Sequence, residues 1–314
     1  QRKLEALEEN GTLIRKDGKT FLQLDCENAK ELSMKWGEKL YPFTKTGKKW
    51  ILELPFSTAV NYVQICVDGQ EVLSPELPIA HGYGRPYNYI ELPDEDGLFE
   101  LRDVPHGTLT QEFYKSKISD NWEKLIVYLP PCVPSAGLPV LYLQHGHGEN
   151  ETCWVSQGKM NFIYDNLVHQ RKAVPAIVVM ANGMIYKESG DKRELKYRDM
   201  SEFVKEELIP YVENKYRTYG DKEHRAMAGL SMGSLQTSIT AFEHSELFSY
   251  VGVFSGFVQD ILTQNQSHLT EKNKESFREN NKLFFRGIGA EDRFIDFFLS
   301  LIHISEPTRH AQIS

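Results

Sequence analysis

The chain has 314 residues, 40% of them hydrophobic, a mean hydropathy of -0.45 and no unbroken apolar run of the length a membrane span needs. A net charge of -8, a pI near 5.7 and the lack of any Lys/Arg-rich run argue against nucleic acid or an anionic membrane as the main partner. Cys26, Cys66, Cys132 and Cys153 lack C-x-x-C spacing, so neither a metal site nor a disulfide framework is expected, although a Cys26–Cys66 bridge stays open.

The chain opens on Gln1-Arg2-Lys3-Leu4 without a basic-then-apolar leader, which fits either a cytoplasmic protein or one whose signal peptide has been removed. Residues 20–93 read as all-β. The runs Phe21-Leu22-Gln23-Leu24, residues 31–36, residues 50–54 and residues 62–67 alternate or cluster as strands do. Asp17-Gly18, Thr46-Gly47 and Asp68-Gly69 supply the turns between them. Short strands at this spacing indicate a sandwich occupying residues 1–93. The Gly-, Pro- and Tyr-rich stretch 75–89 is expected to lack regular structure, and the acidic stretch 94–107 to be a linker.

Beyond it the pattern changes. Residues 125–129, 139–143, 176–180 and 250–254 are continuous apolar runs, as in strands buried on both faces. Helix-period segments lie between them: residues 160–169, and residues 199–216 opened by a D-x-x-E box at Asp199 and Glu202. Pro210 should kink the second. Buried strands alternating with amphipathic helices mean a mainly parallel sheet covered on both faces, an α/β fold over residues 108–297.

The chemistry centres on Gly229-Leu230-Ser231-Met232-Gly233, which follows a short apolar strand and precedes a helix-compatible run. G-x-S-x-G in that context is a nucleophile elbow, with Ser231 on a sharp turn and the Met232 N–H available as an oxyanion donor. Leu143-Gln144-His145-Gly146-His147-Gly148 follows another buried strand and resembles the H-G-x-G loop that supplies the second donor, here from His147 or the neighbouring Gly146. Two histidines two apart on a glycine loop make a poor metal site, and neither metal nor cofactor is expected. The acid of a Ser–acid–His order falls on Asp292, with Glu291 as understudy, in the loop after the apolar run 282–287. Only His303 and His310 follow. Neither has the setting of a catalytic base, and the run 300–309 breaks with the preceding pattern. The stretch 298–314 therefore reads as a non-native tail, the segment carrying the true histidine is expected to be missing, and His303 stands as its substitute. His106, His224 and His244 read as turn or structural residues. Trp154 and Tyr186 are candidates for lining the acyl pocket.

The series Val104-Pro105-His106-Gly107, residues 141–148, Trp154…Gly158, Asp165-Asn166-Leu167, residues 177–183 and residues 229–233 resembles the esterase D / enterochelin-esterase group, and within it the bacterial feruloyl and acetyl-xylan esterases. The resemblance implies an α/β-hydrolase domain with Ser231, Asp292 and the two oxyanion donors in the roles above. It implies feruloylated or acetylated xylan as substrate and a secreted or periplasmic address. Residues 50–55 and 62–69 are similar to immunoglobulin-like, glycogen-binding-type modules, and Trp36, Tyr83, Tyr87 and Tyr89 are candidates for stacking on sugar rings. A siderophore esterase should need a basic pocket, which the charge disfavours. A catalytically dead glycan-binding protein remains a rival, and nothing in the pattern sets an oligomeric state.

Overall fold

A computed structural model describes residues 7–8, 10–93, 97–260, 263–290, 292 and 294–300. Two compact units are present: residues 1–104 with 155–166, and residues 105–154 with 167–314. Residues 97–104 of the expected linker thus group with the first unit, and Val155–Asn166, assigned to the second domain by periodicity, group with the first as well.

The first unit is built from β1 (Leu13–Lys16), β2 (Lys19–Asp25), β3 (Leu32–Trp36), β4 (Lys39–Pro42), β5 (Thr44–Thr46), β6 (Lys49–Glu53), β7 (Ala59–Val67), β8 (Gln70–Val72), β9 (Ile79–Gly82) and β10 (Arg85–Leu92). They form two sheets, ordered β1-β2-β6-β5 and β4-β3-β7-β10-β9 with β8 on β7. Leu22, Leu24, Trp50 and Leu52 of the first sheet and Met34, Val63, Ile65 and Ile90 of the second share one core, as in a two-sheet sandwich. Asp17-Gly18 and Asp68-Gly69 both have positive φ, which matches the turn to the strand twist. The expectation of an irregular stretch at 75–89 is wrong: β9 and β10 pair antiparallel through a Tyr83-Gly84 turn with both residues in the left-handed region. The Gly and Pro that argued against strands sit at the hairpin's turn and its edges. All four cysteines are free thiols.

The second unit carries β11 (Thr108–Lys115), β12 (Trp122–Leu129), β13 (Val140–Gln144), β14 (Ile177–Ala181), β15 (Tyr186–Ser189), β16 (Lys192–Leu195), β17 (Arg225–Leu230), β18 (Tyr250–Phe254) and β19 (Leu283–Gly287). Seven of them make one sheet in the order β11-β12-β14-β13-β17-β18-β19. β11 and β12 are antiparallel, and the five strands from β14 to β19 run parallel. The central parallel strands are largely buried, β14 at every position, as expected where helices cover a sheet on both faces, while the edge strand β19 is buried only at Phe284 and Arg286. β15 and β16 form a separate hairpin.

The expected helix 160–169 is present, and 199–216 is helical in pieces: Met200–Phe203, a π turn at Val204–Leu208 and Ile209–Lys215. Pro210 lies at the start of the last piece, so the wide turn before it absorbs the hydrogen bond proline cannot make. The capping box is not formed. Asp199 is already helical and makes no side-chain cap, its carboxylate instead meeting Lys187 Nζ at 2.5 Å.

Candidate active site

The carboxyl ends of the parallel strands converge. β13 ends at Gln144 beside Gly229, Leu230 stands beside Phe254, and Phe254 beside Gly287. Ser231 follows β17 at this edge with φ 54 and ψ -114, a backbone that an L-residue adopts at a cost of about 1–3 kcal/mol. Its N–H donates to the Phe254 carbonyl at 3.0 Å, and its own carbonyl accepts from Ser234 N at 2.9 Å and Leu235 N at 3.2 Å. The helix Met232–Glu243 therefore starts immediately behind the serine. The first amide spent on its ladder is that of Ser234, which leaves the Met232 N–H ahead of it and facing the helix N-terminus.

Glycine is forced at both ends of the elbow. A Cβ on Gly229 would lie 2.2 Å from the Gly233 carbonyl oxygen, and one on Gly233 would lie 2.6 Å from His145 O and 2.7 Å from Gln144 O. These are backbone contacts that no rotamer change relieves. A residue not foreseen from sequence completes the turn. Ser234, wholly buried, donates its hydroxyl to the Ser231 carbonyl at 2.5 Å and accepts from the Phe257 N–H at 2.7 Å.

The H-G-x-G loop lies against this turn. A Cβ on Gly146 would stand 3.7 Å from Ser231 Cβ. His145 is buried, and both ring nitrogens are used inside the protein: Nδ1 meets the Gly146 carbonyl at 2.8 Å and Nε2 accepts from the Gly183 N–H at 2.9 Å. Only the Nδ1-protonated neutral ring satisfies both bonds, and burial pushes its pKa below the usual histidine value. That occupancy disposes of His145 as a metal ligand. His147 is exposed. The Gly146 N–H, one of the two loop donors proposed from sequence, is taken: it donates to Glu149 Oε2 at 2.8 Å.

Asp292 occupies the loop after β19, on the same strand-end edge as Ser231. Its Oδ1 accepts from Phe294 N at 2.9 Å and its N–H donates to Gly289 O at 3.1 Å, which fixes the carboxylate at the start of a helical turn. Glu291, His303 and His310 lie outside the described residues. His224 pairs with Asp221 at 2.8 Å and stacks on Tyr219, and His244 meets Glu202 at 3.1 Å, so both are engaged elsewhere. Trp154 is half-buried, and the Tyr186 ring on the β15–β16 hairpin is covered by the Arg193 guanidinium at 4.7 Å.

Of the residues proposed for sugar stacking, Tyr89 is fully buried and Trp36 packs on Phe56 at 5.0 Å within the sandwich core. Tyr89 lies in the part of β10 that is buried at every position, Asn88 to Leu92, with Lys159 Nζ 5.9 Å from its ring centroid. Tyr83 is 71% exposed and forms an edge-to-face group with Tyr62 and Tyr87.

The model of the Esterase family matches residues 116–292, more than half of the chain and the whole span from β12 to the Asp292 loop. The chain belongs to that family. Its fold is of the α/β-hydrolase type, and an all-β region precedes that fold in the sequence. An endo-1,4-β-xylanase/feruloyl esterase of Xylanibacter ruminicola is 35% identical over 220 residues, which is 65% of this chain but only 29% of that protein. A ferulic acid esterase structure from Anaeromyces mucronatus superimposes with a TM-score of 0.58 at 20% identity, covering 70% of this chain and 87% of that one. The enterobactin esterase of Shigella flexneri gives 0.68 at 13% identity over 99% of this chain and 93% of the other. At such identities the two structures speak to the fold.

Proposed function

We propose that this esterase releases hydroxycinnamic acids, ferulic acid first, from esterified plant cell-wall xylan, with Ser231 as nucleophile. The observation that carries the reading is the left-handed backbone of Ser231 at the end of β17, pinned between glycines and backed by a helix N-terminus. Strain of this kind persists where it presents a reacting atom. The xylan and ferulate assignment draws its support from the Xylanibacter relative named as both xylanase and feruloyl esterase.

In the mechanism, Ser231 Oγ attacks the ester carbonyl carbon while a base takes its proton. The developing oxyanion is met by the Met232 N–H and a donor from the 145–148 loop. The sugar oxygen leaves with the proton, and water then attacks the acyl-serine and frees the acid. Asp292 orients the base, a histidine for which His303 is the candidate by chain order. Trp154 and Tyr186 are assigned to the acyl pocket, where a phenolic ring would gain from aromatic contact and an acetyl group would gain little. A polymeric wall substrate implies a secreted or periplasmic protein.

The test is release of ferulate from methyl ferulate, and of acetate and ferulate from xylan fragments, by the wild-type chain and by Ser231→Ala. Ferulate release that vanishes in the alanine variant supports the reading. Acetate release alone makes the enzyme an acetyl-xylan esterase, and turnover equal in both proteins removes Ser231 from its role.

A second reading, glycan binding by the first unit, is favoured by one observation: Tyr83 stands exposed on a positive-φ turn beside Tyr62 and Tyr87, with Arg85 stacked 4.3 Å over the Tyr87 ring. A ring held out on a strained turn is a platform for a sugar face. Tyr83→Ala should abolish retardation of the protein in xylan-containing native gels, and unchanged mobility would remove the idea.

A further inference from the structure

We propose that Glu149 is a positioning residue that locks the oxyanion loop and leaves His147 to supply its donor. The inference rests on Ser231 being the nucleophile. Residues 146–149 form a tight turn closed twice. The Glu149 N–H donates to the Gly146 carbonyl at 3.3 Å, and the Gly146 N–H donates back to the Glu149 carboxylate at 2.8 Å. Gly148, third in the turn, has φ 77, the left-handed value such a turn demands there. The Gly146 carbonyl also receives the His145 ring at 2.8 Å. Both polar groups of Gly146 are thus committed within the protein, and the next amide along the loop is that of His147.

The carboxylate holds this turn at the place where it matters. A Cβ on Gly146 would meet both Glu149 Oε2 and Ser231 Cβ within 4 Å, so the locking carboxylate and the nucleophile border the same point. Its other neighbour is Cys153, whose buried thiol is kept protonated by desolvation and by the charge and hydrogen bonding of Glu149. A neutral S–H and a backbone N–H hold the side chain from two sides. An amide oxygen could accept the same N–H without the negative charge, so the role requires an acceptor and not an anion. A charge beside a developing oxyanion would by itself be unfavourable.

The experiment compares wild type, Glu149→Ala and Glu149→Gln on two readouts. With p-nitrophenyl acetate, the alanine variant should lose about ten- to hundredfold in kcat with KM changed less than about threefold, short of the hundred- to thousandfold for removing a donor outright. The glutamine variant should stay within about threefold of wild type or exceed it. In amide NMR spectra, the Gly146 proton should move upfield and exchange faster in alanine but not in glutamine. An alanine variant with unchanged kcat and an unmoved Gly146 signal overturns the proposal. So does a glutamine variant as impaired as alanine, since that assigns the effect to charge. Failure of the nucleophile reading shows separately, as turnover surviving Ser231→Ala, while the Gly146 amide reports on the turn in either case.

Discussion

At the residue scale, the elbow is over-determined by contacts that only part of its sequence signature announces. Gly229, Ser231 and Gly233 were legible because steric exclusion leaves glycine no substitute there, and a pattern that rests on exclusion survives in sequence. Ser234 and Glu149 were not legible. Each acts through a hydrogen bond to a backbone group that only the folded loop brings near, and serine or glutamate in a loop is compatible with many other roles. Gly233→Ala should be severe, because the added carbon meets two backbone oxygens at under 3 Å. A loss of about 3 kcal/mol or more is expected, read as a fall of about 6–12 °C in the thermal midpoint. Ser234→Ala is milder but acts on the same strain. It strips the buried Phe257 N–H of its acceptor and the Ser231 carbonyl of a donor, costing about 1–3 kcal/mol. Its activity should fall further than that of an equally destabilised variant far from the turn, which parallel melting and esterase assays check. Equal losses would show that Ser234 serves stability alone.

At the element scale, unbroken apolar runs announce the buried parallel strands at 139–143, 176–180 and 250–254, whereas the same kind of run at 125–129 belongs to β12, which pairs antiparallel with both neighbours. Turn residues mask the hairpin β9–β10, whose alternation is only four residues long on one side. The segment Val155–Asn166 was misassigned for another reason. Its periodicity reports that it is helical and half-buried, not which core receives it. What ties it to the first unit is polar. Lys159 Nζ meets Glu91 Oε2 at 3.1 Å with side chains only 9% and 7% exposed, and it donates to Ser156 O at 2.8 Å. Gln157 Nε2 donates to His81 O at 2.8 Å, and the Asn166 amide donates to the Leu98 and Glu100 carbonyls at 2.7 and 2.9 Å. Breaking a buried ion pair from one side strands the other charge, whereas replacing both with apolar groups can be nearly neutral. Lys159→Met should therefore destabilise the first unit by about 3–5 kcal/mol, seen as faster amide exchange across β7 and β10. Lys159→Met combined with Glu91→Leu should recover most of that protection. A double variant as labile as the single one would mean the lysine acts by packing and not by charge.

At the scale of the whole molecule, the second unit buries two histidines as neutral rings, and this couples its stability to pH. His268 has no exposed surface, its Nε2–H meets the Val258 carbonyl at 2.6 Å, and its buried Nδ1 has no partner among the described residues. Desolvation pushes its pKa down to about 4, against about 6.5 in an unfolded chain. His145 shifts in the same direction, mainly through burial. The unfolded chain therefore takes up protons that the folded unit refuses. Stability is fully present above about pH 6.5, declines as the pH falls through the unfolded value, and stops declining on this account once His268 itself titrates near 4. Between pH 7.5 and 5.0, His268 should remove about 2 kcal/mol, with His145 adding to it. Urea unfolding at the two pH values measures the difference directly. In His268→Gln, an amide N–H can still reach the Val258 carbonyl while no group titrates, so the pH dependence should flatten by that amount even where overall stability drops. A variant as pH-sensitive as wild type would move the origin of acid lability to other groups, of which His145, buried on the loop beside the elbow, is the next to test.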